Sequence, residues 1–132
     1  MVGGDQVRGA VGTELLPSRP SDLVAADRLP PVPTLAGTTR NEGALFTSIF
    51  FNQAGSPVTA PVLRAMLSGA AGGKANAAGR AYRPGDRSPG QVWSDVITDR
   101  AYACPALVTY RALATRAPLF AYEFTDRSAP GR

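Results

Sequence analysis

A chain of 132 residues suits one domain, and a domain of that size can bury roughly two thirds of its unfolded surface. With 14 Gly and 12 Pro, these two residues make up about a fifth of the sequence against a usual share of about 12%, so much of the chain must be loop. The formal charge of +4 comes from arginines scattered singly, with Lys74 the one lysine; no basic run and no interleaved aromatics accompany them, which argues against nucleic acid as a partner.

Met1 to Arg8 holds no apolar core of signal-peptide length, and nothing approaches the ~18 apolar residues of a membrane span, so no membrane is expected and the compartment stays open. Residues 1–31 read as an irregular lead-in with a short helix over 21–27, capped by Ser21 and carrying Asp22 in its first turn. Pro30-Pro31-Val32-Pro33 favours extended chain, and a short buried strand is predicted over 32–36, ending at Gly37. Thr39 to Glu42 then opens a helix with Phe46, Ile49 and Phe50 on one apolar face.

A second helix is predicted from Pro61 to Ser68, with Val62, Leu63, Met66 and Leu67 on its face, stopped by Gly69, Gly72 and Gly73. From Lys74 to Gly90 the residues are small and polar, and Pro84-Gly85-Asp86 and Ser88-Pro89-Gly90 are turn chemistry, so this stretch reads as a mobile loop anchored at Tyr82. A third helix covers 91–98 with Val92, Trp93, Val96 and Ile97 inward; a break follows over 99–104; a fourth helix starts at Pro105 and aligns Ala106, Leu107, Tyr110, Leu113 and Ala114. Leu119 to Phe124 is the clearest strand, and 127–132 reads as a frayed tail. Strand, helices, strand is the crossover pattern of a parallel sheet, which makes the fold class α/β, with 32–126 as its body. Two strands do not complete such a sheet, whose members are ordinarily covered on both faces.

Glu42 is the chemistry-bearing residue. Thr39-Arg40-Asn41-Glu42 fits a capping box, in which the glutamate reaches back to the Thr39 amide. The same position, a carboxylate at a strand-to-helix turn facing a helix amino terminus, also suits an acid that must stay charged.

Four phrases bear on that choice: Gly12 with Leu16-Pro17 and Pro20; Gly37-Thr38-Thr39-Arg40-Asn41-Glu42-Gly43; Ile97-Thr98-Asp99 followed by Tyr102 and Cys104-Pro105; and Leu119-Phe120-Ala121-Tyr122-Glu123-Phe124. Together and in this order they resemble the region between nucleophile and base in the type-B carboxylesterase and cholinesterase family of α/β-hydrolases, over most of residues 12–128. Asn41 departs from the family's usual Asp. The resemblance implies a partial α/β-hydrolase fold in which Glu42 is the acid of a Ser-Glu-His triad cleaving small-molecule carboxylic esters, with no cofactor or metal. It also implies that Cys104 matches a cysteine with a disulfide partner further along. From the residues alone, a single cysteine reads instead as a small buried apolar side chain.

The chain contains no histidine and no Gly-x-Ser-x-Gly elbow. A triad acid acts only through the imidazole it holds, so the partner implied is the remainder of a hydrolase domain, and the 132 residues alone are expected to be inactive. The alternatives are a non-catalytic interaction module or a truncated remnant of the same fold. Substrate preference and oligomeric state are not legible.

Overall fold

The computed structural model describes residues 11–14, 16–28 and 30–126. In chain order they form α1 (Pro20–Ala25), β1 (Thr34–Thr39), α2 (Gly43–Thr47), α3 (Ala60–Ala71), α4 (Ala75–Ala81), α5 (Pro89–Thr98), α6 (Cys104–Ala114) and β2 (Leu119–Phe124). β1 and β2 are parallel and in direct register from Thr34 opposite Leu119 to Thr39 opposite Phe124. The described residues thus form a mixed α/β arrangement, with one two-stranded parallel sheet, α1 before it, and α2 to α6 in the connection between its strands.

β2 occupies the range its aromatic pattern predicts. β1 begins two residues later than expected and runs to Thr39. Pro30, Pro31 and Pro33 have no amide proton to give a ladder, so pairing starts where Thr34 N donates to Pro118 O (3.0 Å) and continues past the strand end, with Arg40 N donating to Phe124 O (3.0 Å). The expectation of a buried strand is corrected: Leu35 is 74% exposed. Leu35, Phe120, Tyr122 and Phe124 lie at alternate positions and line one open face of the sheet, while α6 packs against the sheet near Leu119.

The core lies in the helical connection rather than on the sheet. Val58, Leu63, Leu67, Val92 and Val96 form one cluster, flanked by Phe51, Met66, Tyr82 and Trp93. Leu63 and Leu67 are one turn apart on α3, as are Val92 and Val96 on α5, so each helix contributes one stripe. Val92 is fully buried, a side chain whose burial stabilises by about 1.5–3 kcal/mol.

Three stretches differ from the sequence reading. α4 forms where a mobile loop was expected, because the alanines of Ala75-Asn76-Ala77-Ala78 are helix formers despite Gly79. Ser88-Pro89-Gly90 is a helix start and not a turn: Ser88 Oγ accepts from Gln91 N (3.2 Å) while Gln91 Oε1 accepts from Ser88 N (2.8 Å), a complete capping box with Pro89 in the first turn. The expected break at 99–104 is a continuous helical segment with a wider π-type turn over Asp99–Ala103, in which Cys104 N donates to Asp99 O. Pro105 has no N–H and its ring would collide with a carbonyl four residues earlier; the widened turn sits where that conflict arises. A second wide turn, Ser48–Asn52, follows α2. Phe46 stacks on both Phe50 and Tyr102 at 6.3 Å, joining the two wide turns, while Ile49 and Phe50 remain exposed.

Smaller differences have local causes. α1 starts at Pro20 with Arg19 as its flanking residue, so Ser21 lies inside the helix and caps nothing. α3 runs through Gly69 and stops at Gly72, whose φ of +52° ends it. Residues 1–10 of the predicted lead-in, and the tail over 127–132, lie outside the described residues. No helix among the described residues is long and apolar enough to cross a membrane.

Candidate functional site

Glu42 follows β1 by three residues and immediately precedes α2. Its backbone is helical (φ −53°, ψ −38°), and the turn closes with Ala44 N donating to Asn41 O at 3.0 Å. Glu42 Oε1 accepts from Thr39 N at 2.9 Å, the contact a capping box would make. The reciprocal contact from the Thr39 hydroxyl is absent, and among the described residues Glu42 Oε2 has no hydrogen-bond donor. One carboxylate oxygen therefore fixes the turn and the other is left over, so capping and a further role for the carboxylate are compatible.

The residue after it is locked. Gly43 N donates to Thr98 Oγ1 (2.9 Å) in a buried position, and the Thr98 hydroxyl donates to Ser94 O (2.8 Å). Ser94 Oγ lies 2.9 Å from Gly90 O and 2.8 Å from Thr47 Oγ1. Ser94 has one proton and the carbonyl can only accept, so that proton goes to Gly90 O and Thr47 donates to Ser94. Thr47, Ser94 and Thr98 are all buried and all satisfied, forming a polar seam between α2 and α5. The seam requires close approach: a Cβ on Gly43 would collide with the Ser94 carbonyl oxygen and lie 2.8 Å from Ile97 Cβ. The Glu42 turn is therefore set on the helix that carries the core, which is how a precise carboxylate position is held.

Three of the four sequence phrases meet here. The Asn41-Glu42-Gly43 turn of the second phrase is joined to Thr98 of the third, and β1 is paired to β2 of the fourth, with Gly37 opposite Tyr122. A Cβ on Gly37 would come within 2.6 Å of the Tyr122 ring and carbonyl, so the strand needs glycine there. Arg40 donates through Nε (3.1 Å) and Nη2 (3.0 Å) to Glu123 Oε2, tying the start of the turn to β2; both side chains are half exposed, so the pair contributes at most about 1 kcal/mol. Five clefts among the described residues are lined without Glu42.

Asp99 and Cys104 lie elsewhere, on a separate cleft with Tyr82. Asp99 Oδ2 accepts from Tyr82 Oη at 2.8 Å, so Asp99 braces α4. Cys104 is exposed, which corrects the expectation of a buried apolar cysteine: its helix starts at the wide turn and leaves the thiol outside the core. Trp93 is partly buried against the core cluster. Among the described residues no three His, Cys, Asp or Glu side chains gather as a metal site would require.

Burial, and then the hydrogen bond and charge of Asp99, push the Tyr82 phenol from 10.0 up to about 12. A phenol with a raised folded-state pKa binds its proton more tightly in the fold. Its contribution is complete below pH 10 and is lost as the pH climbs to about 12, because the unfolded chain ionises first. The urea midpoint is expected to fall across this window, and Tyr82→Phe to flatten the fall; identical pH profiles for the two proteins would exclude it.

No protein-family model matches this chain, and no solved structure matches it.

Proposed function

We propose that the chain is the acid-bearing segment of a serine ester hydrolase of the type-B carboxylesterase kind, with a partial α/β-hydrolase fold and Glu42 as the triad acid. In the assembled enzyme a serine attacks the acyl carbonyl and its proton passes to a histidine. Glu42 holds that imidazole and stabilises its charged form; an acyl-enzyme forms and water releases the acid. The serine and histidine belong to the remainder of the domain, which is the partner this reading requires. No cofactor or metal enters the scheme.

The observation that carries the reading is the position of Glu42: a carboxylate in the turn leaving one strand of a parallel pair, its backbone fixed by the buried Gly43–Thr98 bond and one oxygen left over. Support also comes from the contacts that join the phrases on which the resemblance rests.

The purified 132-residue chain is expected to show no ester turnover, since it lacks nucleophile and base. Turnover that survives rigorous removal of host esterases would refute this. The decisive test is to read the coding DNA on both sides of the chain. A Gly-x-Ser-x-Gly phrase upstream and a histidine-bearing phrase downstream support the hydrolase. Start and stop signals with neither phrase nearby leave Glu42 as a helix cap.

One observation favours a second reading, a non-catalytic interaction module. The sheet face of Leu35, Phe120, Tyr122 and Phe124 is open, and a contiguous apolar surface of this kind marks a contact with another polypeptide. The same flanking sequence separates the two, since an interaction module needs neither serine nor histidine.

A further inference from the structure

α4 is attached to the rest of the molecule by very little. Its seven residues bury no side chain completely, and it packs mainly on α3. A helix this short is not stable by itself in water, where about 12–15 residues are needed. It is undercut on both sides. One cleft, of about 170 Å³, lies between Ala78 on α4, with Tyr82 just beyond its end, and Leu67, Val96 and Cys104 beneath; the other lies between Asn76, Gly79 and Arg80 on α4 and Arg64 and Ser68 on α3.

Both ends of α4 are built to bend. Gly72 ends α3 at φ +52° and ψ −129°, a conformation open to glycine and costly for other residues, and Gly73 follows it. Beyond Tyr82 the chain turns through Pro84-Gly85, with Gly85 at φ +55°. The far side of that turn is anchored to α5 by the Arg87–Asp95 ion pair and the Ser88 capping box. Between the two bending points, Arg87 Nη2 donates to Arg83 O (2.6 Å) within the turn itself, and among the described residues the side-chain hydrogen bond that ties the segment to the helical segment following α5 is Tyr82 Oη to Asp99 Oδ2, 2.8 Å. The Tyr82 ring also rests against the core cluster.

We infer that α4 is a lid over the Leu67–Val96 face of the core, hinged at Gly72-Gly73 and latched by the Tyr82–Asp99 hydrogen bond. Closed, it shields the apolar floor of the cleft. Open, it uncovers Leu67 and Val96 while α3 and α5 stay folded. This does not depend on the role of Glu42, since it concerns a different face and a different set of contacts.

Hydrogen exchange on the full chain tests it, followed amide by amide in the wild type, Tyr82→Phe and Asp99→Asn. In the wild type the amides of 75–81 are expected to exchange through openings that leave 92–98 protected. Tyr82→Phe keeps the ring and removes the latch, so exchange of α4 should rise about 10- to 100-fold with α5 unchanged, as expected for the loss of a hydrogen bond to a charged acceptor. Asp99→Asn keeps an acceptor without the charge and should give a smaller rise on the same amides. The inference is overturned if α4 and α5 exchange together in one cooperative step, if Tyr82→Phe accelerates both equally, or if it leaves α4 unmoved. A chain without protected amides would overturn it as well, because no latch would then exist.

Discussion

Gly43→Ala is expected to destabilise the fold by about 3 kcal/mol or more, the upper range of what overpacking costs. The added Cβ meets a backbone oxygen, Ser94 O, and the branched carbon of Ile97 at 2.8 Å, neither of which is the yielding end of a flexible side chain. Relief requires α2 to move away from α5. That movement breaks the Gly43–Thr98 bond and the Thr47–Ser94 contact, leaving buried polar groups unpaired at a further cost of about 1–3 kcal/mol for each group left unsatisfied. Gly69→Ala is the matched control. It lies inside α3 with no atom within 4 Å of the new Cβ, so it should stabilise the chain by about 0.5–1 kcal/mol. Urea midpoints measured side by side decide the matter, and equal midpoints for Gly43→Ala and wild type would show that the seam does not fix the turn.

The seam was visible in the sequence as a pattern whose meaning was not. Gly90, Ser94 and Thr98 are spaced four apart, a stripe of small and hydroxyl residues along one side of α5, while Val92 and Val96 mark another. The apolar stripe announces a core face at once. The small stripe announces close helix approach only when its partner is known, and here that partner is Gly43, more than forty residues earlier. A Ser/Thr helix contact of this kind is a long-range fact that local periodicity does not contain. By contrast, the Ser88-Pro89-Gly90-Gln91 cap was fully local. It was masked because Pro-Gly also spells a turn, and the glutamine three residues after the serine is what distinguishes the two.

The strands show the same division. β2 is legible because Leu119 to Phe124 is aromatic-rich and bounded by Pro118, and the parallel pairing follows from the order of elements. The end of β1 is not, because Thr38 and Thr39 serve equally as strand residues and as the start of a turn, and pairing with Glu123 and Phe124 decides between them. The apolar residues of β1 predict burial, yet burial depends on what covers the sheet, and Leu35 stays exposed. Cys104 failed for a related reason: small size favours burial, but the wide turn at Asp99–Ala103 sets which way the following helix faces.

The Glu42 carboxylate is where composition, turn geometry and the proposed chemistry converge, and Glu42→Gln separates them. Glutamine has nearly the same shape, and its amide oxygen can still accept from Thr39 N, so the turn should persist with little change in stability. What it loses is the charge. A neutral amide does not stabilise an imidazolium and does not enforce the tautomer the base needs. In the proposed hydrolase, assembled from this chain and the segments bearing serine and histidine, kcat should therefore fall about 10⁴-fold while the urea midpoint stays near that of the parent. Glu42→Ala should show a similar loss of turnover together with about 0.5–2 kcal/mol of destabilisation, because it also removes the bond to the Thr39 amide. If Glu42 were a helix cap and nothing more, the two stability effects would be the same, alanine costly and glutamine nearly neutral, but turnover by the assembled protein would stay within a few-fold of the parent in both.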